Sequence, residues 1–459
     1  MIPKELGGYS NLFTEYTELR VQENRSVRIT VVNGDVMGNS SASSSGVSAR
    51  TYSNGVWGFA SDPEIKDENI RKVIAFATRN ARFLDSRENR VGNPLPVTLG
   101  NGAWDYSTSK ARKSQKDIID FVREIDSRIL QKFKEISSRT VSLGLLDMEK
   151  SLLTSDGASA YSMIPKSITV IALSTERDGQ SIELYDIYGG FGQFEDVFTA
   201  PDSLFEQMDR HYDHLRRKAE GIYPDAGIKE CILDADLAGI LAHEAIGHTT
   251  EADGVRGGSI AADYLNKEVA SPLITMVDFA HSAFGELCPV PVFIDDEGTE
   301  AEDVVIIDRG VLKRFMHNKE TSILFDDEPT GNARAFRFND EPLIRMRNTA
   351  ILPGKSKLED MIASVQDGYY LMRPSNGQAD STSEFMFGII QGYEIRNGKL
   401  GRALRDTTIS GVAFDMLKTV TAVSDEMKWT SAGMCGKKQP IPVSMGGPAI
   451  RCRVNIGGR

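Results

Sequence analysis

The chain has 459 residues, 40% apolar and 26% charged, the proportions of a soluble globular protein with room for two or three domains. A formal net charge of −12 argues against nucleic acid or an anionic membrane surface as the main partner, since both call for a basic face. No apolar run approaches a membrane span, the first residues lack a signal-peptide core, and four scattered cysteines make no disulfide framework, so a cytoplasmic protein with reduced thiols is expected.

Residues 15–60 alternate in polarity, with Asn33-Gly34 and Asn54-Gly55 as hairpin turn signals; the serine stretch 40–45 reads as a loop or weak strand. Asp62-Pro63 predicts a helix start, with Ile65, Ile70, Val73, Ile74, Ala77 and Ala81 on its apolar face, and this first unit ends near residue 90. A second amphipathic helix is expected from about 114 to 136, its buried stripe running from Ile118 to Ile136. Strands at 139–154, 158–175 and 181–188 follow, joined at Asp156-Gly157 and Asp178-Gly179, and a charged helix at 202–220 closes the segment.

From Gly227 the composition turns glycine-rich and strand-rich. The expected division is an N-terminal α/β region at 1–225, in two sheet-plus-helix units of about 1–95 and 105–225, then a β-rich domain at 226–459 that carries the metal-site helix. The fold class is α+β with mainly antiparallel sheets.

The stretch 237–255 carries the chemistry. Ile232-Leu233 reads as a strand, Asp234 or Asp236 as a helix cap, and Leu237, Ile240 and Leu241 recur at helical spacing. His243, Glu244 and His248 then form His-Glu-x-x-x-His, close to the His-Glu-x-x-His helix in which two imidazoles hold zinc and a glutamate handles water. At about 100° per residue, positions i and i+5 lie roughly 140° apart on a regular helix, so the two histidines need a wide turn with i to i+5 bonding, or a helix that ends between them. Gly247 is where the backbone deforms most cheaply, and an irregularity at 245–248 is predicted.

A catalytic zinc site has three protein ligands and one open position. Glu251 and Asp253 are near candidates for the third, and Cys435, in Gly433-Met434-Cys435-Gly436-Lys437, is the distant one. On the motif alone, a purely structural histidine pair also stays open. Cys231, Cys288 and Cys452 sit in apolar runs and read as core.

Downstream, 254–261 is glycine-rich, either a flap beside the metal or an ordinary loop. Val290–Ile294 reads as a strand running into the acidic turn Asp295-Asp296-Glu297-Gly298, which lacks the ligand ladder of a calcium loop and is expected to be capped. Strands are expected at 304–307 and 311–316. Arg345–Thr349 reads as an exposed edge able to hold a peptide by strand addition. A helix at 357–367, strands at 384–395 and 399–405, a helix at 411–423 and a last strand at 450–456 complete the chain.

Six motifs in order, His243-Glu244-Ala245-Ile246-Gly247-His248, Asp295-Asp296-Glu297-Gly298, Thr330-Gly331-Asn332, Arg345-Met346-Arg347-Asn348-Thr349, Leu352-Pro353-Gly354-Lys355-Ser356 and Met434-Cys435-Gly436-Lys437, resemble the TldD branch of the TldD/PmbA family. A weaker similarity extends to Val47–Phe59. The resemblance implies a cytoplasmic zinc metallopeptidase acting on short or unfolded peptides, with His243, His248 and Cys435 as zinc ligands and Glu244 as catalytic base. It also implies a dimer, either of two copies or with a TldE/PmbA sibling; the sibling's label as a modulator of DNA gyrase gives no reason to expect direct nucleic-acid binding. Thr249-Thr250 depart from the family pattern, standing where small apolar residues are expected. The alternative is a non-catalytic binding or assembly subunit of such a dimer.

Overall fold

Alternation along a few very long strands sets the architecture. In the computed structural model, which describes residues 2–88, 92–431 and 433–457, strand β1 (Tyr16–Val32) turns at Asn33-Gly34 into β2 (Asp35–Ser53), which turns at Asn54-Gly55 into β3 (Val56–Asp62). All four turn residues have positive φ, the conformation for which asparagine and glycine are suited. Helix α1 (Asp67–Glu88), strand β4 (Asn101–Asp105), helix α2 (Gln115–Lys132) and strands β5 (Ser138–Thr154), β6 (Ser159–Arg177) and β7 (Gln180–Phe191) follow. The strands form one seven-stranded sheet in the order β3-β2-β1-β5-β6-β4, with β7 also on β6. The pairing of β1 with β5 joins both predicted sheet-plus-helix units in this sheet.

Parity divides the sheet's two faces. Odd-numbered side chains, among them Leu19, Val21, Ile29 and Val31 on β1 and Val141, Leu143 and Leu153 on β5, pack under α1, α2 and, beyond a short helix α3 (Phe194–Val197), α4 (Phe205–Ala219). Even-numbered side chains face the second half of the chain. Arg20 donates to the carbonyls of Arg337, Phe338 and Asp340, Gln22 and Asn24 to that of Phe336, and Lys150 pairs with Asp296 at 2.7 Å.

The second half begins with β8 (Gly227–Leu233), which pairs in parallel with 367–379 and antiparallel with 450–456. Strands 407–412 and 384–396 continue that sheet, and because 384–396 also pairs with 367–379 the five strands close into a ring. A six-stranded sheet beside it runs 311–312, 304–308, 276–279, 348–351, 444–447, 428–430. The main core cluster fills the space around residues 237–246, with Ile306, Met346, Leu371 and Phe387 among its members. The chain is therefore α+β and mainly antiparallel, as expected. Among the described residues no helix is long and apolar enough to cross a membrane.

Several local expectations fail for identifiable reasons. Asp62 ends β3 instead of capping a helix; its carboxylate accepts from the Glu64 amide and the Asn69 side chain, and α1 starts five residues later. The predicted end of the first unit near residue 90 lies outside the described residues. Of the two readings of Ser40–Ser45, loop or weak strand, the strand holds, in regular register against Glu23–Arg28. Val290–Ile294 is irregular, since Pro289 and Pro291 cannot donate to a ladder. The helices expected at 357–367 and 411–423 shorten to Leu358–Ala363 and Ala413–Lys418. Arg345–Thr349 is not an edge: its last two residues, Asn348 and Thr349, open the strand 348–351, which runs through the middle of the six-stranded sheet, and every residue from Arg345 to Thr349 is buried.

Candidate metal centre

Asp234 caps helix α5 (Ala235–Ile240), its side chain accepting from the Leu237 amide, so β8 feeds directly into the motif helix. From Leu241 to Gly247 the helix widens into a π-helical segment, and the His248 amide bonds to the His243 carbonyl, five residues back. That is the wide turn the spacing requires, and it brings the two imidazoles to a centroid separation of 5.0 Å. Gly247 also answers to packing: a Cβ there would meet Met346 Sδ at 2.0 Å. A tight turn, His248–Thr250, follows, in which the Thr249 and Thr250 hydroxyls donate to the carbonyls of Ile246 and Gly247. Both threonines thus satisfy their polar atoms locally and serve as buried wall.

Cys435 reaches the histidines from a small hairpin in which Met434–Cys435 pairs with Ile441–Pro442. The hairpin is held from below by Arg345, fully buried, which donates to the carbonyls of Cys435 (2.7 Å), Gln439 (2.8 Å) and Lys437 (3.1 Å). Cys435 Sγ then lies 3.3 Å from His248 Nε2, and one donor atom from each of His243, His248 and Cys435 falls within 4.8 Å of the others. A tetrahedral zinc with ordinary bond lengths separates a sulfur and a nitrogen ligand by roughly 3.5 Å.

Glu251, a turn beyond, accepts from His248 Nδ1 at 2.8 Å and meets Lys437 Nζ at 3.1 Å; Lys437 also pairs with Asp253 at 2.7 Å. Neither acid joins the cluster of donors. Glu251 instead fixes the ring so that Nε2 points toward the sulfur, the outer-partner arrangement usual for metal-binding histidines. Sequence reasoning weighed Glu251 only as a ligand and missed this role, although its place three residues after His248 was a usable signal. Glu244 stands beside the pair, its Oε2 3.7 Å from His248 Nε2, and like His248 it keeps partial access to solvent.

The electrostatics favour a thiolate at Cys435 and positive charge on the ring beside it. Burial opposes ionisation of the Cys435 thiol, yet the flanking His243 and His248 rings outweigh it and bring the thiol down to about 3. Burial likewise opposes charge on His248, but Glu251 and Cys435 lift it to about 10. Both ring nitrogens of His243 are buried and lack a hydrogen-bond partner among the described residues, a costly arrangement that a metal ion would relieve. Two imidazoles and a thiolate suit borderline-soft Zn²⁺.

The acidic turn is structural. Asp295 accepts from the amides of Glu297, Thr299 and Ala333, Asp296 pairs with Lys150 and Arg20, and Glu297 pairs with Arg50. Segment 254–261 is tied down, with the Ser259 hydroxyl on the Thr249 carbonyl and the Ile260 amide on that of Ser381. All four cysteines are buried free thiols.

Comparison with known proteins finds metalloprotease relatives. Residues 227–458 match a family described as the PmbA/TldA metallopeptidase C-terminal domain, and residues 17–81 match its domain 1. A metalloprotease of Methanocaldococcus jannaschii is 32% identical over 95% of this chain and 96% of its own. A protein of Saccharolobus solfataricus named zinc metalloprotease TldD homolog is 30% identical over 90% of each chain. In three dimensions the crystal structure of TldE from Thermococcus kodakarensis superposes with a TM-score of 0.75 over 98% of both chains at 16% identity, a likeness of fold.

Proposed function

Because the chain belongs to the PmbA/TldD metallopeptidase family, we propose that it is a zinc-dependent peptidase acting on short or unfolded peptides, with His243, His248 and Cys435 as metal ligands and Glu244 as catalytic base. The observation that carries the reading is the convergence of three donor atoms within 4.8 Å beside a partly exposed carboxylate.

When bound, Zn²⁺ supplies Lewis acidity, lowering the pKa of water and polarising a scissile carbonyl. The chain's own residues do the rest. Glu244 accepts the proton of the attacking water and passes it to the leaving amine. Glu251 holds His248 in the tautomer that frees Nε2, and Arg345 fixes the height of the cysteine hairpin.

Four reduced thiols fit a cytoplasmic setting. A dimer, with a second copy or with a TldE-like sibling, follows from the family resemblance, and the likeness of fold to TldE is compatible with such a pair. Glu244→Gln tests the catalytic role: the variant binds metal normally and fails to hydrolyse a mixed peptide library. Intact hydrolysis in a metal-loaded variant would remove Glu244 from the chemistry.

A further inference from the structure

The face of the first sheet turned away from its helices is not fully covered. Leu146, Met148, Ile164 and Lys166, with Trp104 of β4, enclose a cavity under the stretch 289–296, with ≈ 80 Å³ open to the centre of a water molecule. That is room for several waters, or for one small organic molecule. One wall is a flat aromatic surface, Trp104 stacked on Phe293 with centroids 4.5 Å apart and planes within 5°.

The charges around the cavity do not balance. Asp296 is already matched by Lys150 at 2.7 Å and Arg20 at 3.5 Å, and the Asp295 carboxylate is taken by three backbone amides. Arg334 spends its guanidinium on the carbonyls of Met346 and Pro442. Lys166 has only a 3.3 Å hydrogen bond to the Gly433 carbonyl, and no carboxylate pairs with it among the described residues. Burial and the neighbouring Arg334 push its ammonium down to about 7, the mark of a cation missing its counter-ion.

We propose that this cavity binds a small carboxylate with an aromatic or aliphatic body, its anion on Lys166 and its apolar part against Trp104, Phe293 and Met148. Few polar groups in an otherwise apolar pocket fix orientation, and here Lys166, with one long hydrogen bond and no carboxylate partner among the described residues, is the lining cation whose donors are least used. The site is separate from the metal centre, since His243, His248 and Cys435 do not line it. Its wall includes Pro442, which pairs with Met434 in the cysteine hairpin. The proposal does not depend on the peptidase reading.

Calorimetric titration of the full chain near pH 6.5 tests it, with phenylacetate as probe and phenylacetamide as its neutral counterpart. Phenylacetate gives saturable binding, the amide binds at least about tenfold more weakly, and Lys166→Gln loses about tenfold or more while Lys166→Arg keeps most of it. Gly-Gly-Phe distinguishes the source of the anion: binding equal to that of phenylacetate assigns the site to peptide ends, and weaker binding assigns it to free acids. The comparison of acid with amide needs no variant, so it survives a failure of Lys166→Gln to fold. Equal binding of acid and amide, no saturable binding of phenylacetate, or binding abolished by chelator treatment would overturn the proposal, the last because it places the probe on the metal.

Discussion

Cys435 Sγ lies 3.3 Å from His248 Nε2 although 187 positions separate them in the chain. The contact depends on two supports, one for each partner: Arg345 beneath the cysteine hairpin and Glu251 behind the imidazole.

Arg345 bridges three carbonyls with one planar guanidinium, which the single ammonium of lysine cannot reproduce. Arg345→Lys is expected to lower stability by about 2–4 kcal/mol, given the worth of hydrogen bonds to charged groups, and to reduce bound metal. Denaturant unfolding and elemental analysis on the same preparation check both effects.

Glu251→Ala removes the partner of His248 Nδ1 without touching a donor atom. Outer partners of this kind are worth about 10- to 100-fold in metal affinity. Competition with a chelator of known affinity should find a loss in that range, with Glu251→Gln, which keeps an acceptor, closer to wild type.

Gly247→Ala places a methyl against Met346 Sδ inside the π-helical turn, an overpacking expected to cost about 1–3 kcal/mol and to disturb the spacing of the two histidines. At Gly436 nothing lies within 4 Å of an added Cβ, so Gly436→Ala should leave thermal midpoint and metal content unchanged. The pair separates close packing from general sensitivity of the motif.

His317 carries a pH signature. Burial, opposed by Asp327, holds it down at about 4 against an ordinary 6.5. The folded state therefore resists a proton that the unfolded chain accepts: the stabilisation is present above about 6.5 and is lost as pH falls toward 4, up to about 3 kcal/mol. The gap in thermal midpoint between wild type and His317→Gln should be widest near pH 7.5 and narrow by pH 5. The difference cancels the buried acids Asp234 and Asp295, whose raised values act in the opposite direction. A gap independent of pH would contradict a buried neutral imidazole.

The backbone of the histidine motif was legible because its information is local. Six-residue spacing, one glycine and helix geometry were enough to call for an irregularity at 245–248, either a wide turn or a helix end, and the structure has the wide turn, beginning earlier, at 241–247; Asn-Gly pairs were enough to place two hairpins. What stayed hidden depends on partners remote in sequence. Arg345 and Arg347 look like an exposed basic stretch until the Asp278 carboxylate and the carbonyls of the cysteine hairpin are found around them. The serine run becomes strand only because β1 supplies a ladder beside it. No local pattern announces that Lys166, on the even-numbered face of β6, has no carboxylate partner among the described residues.

The central claim is that His243, His248 and Cys435 hold one zinc together. Elemental analysis of wild type and Cys435→Ala, each shown to be folded by circular dichroism, tests it most directly. About one zinc per chain in wild type and a large loss in the variant is the predicted result; full zinc retained by a folded Cys435→Ala protein would contradict it.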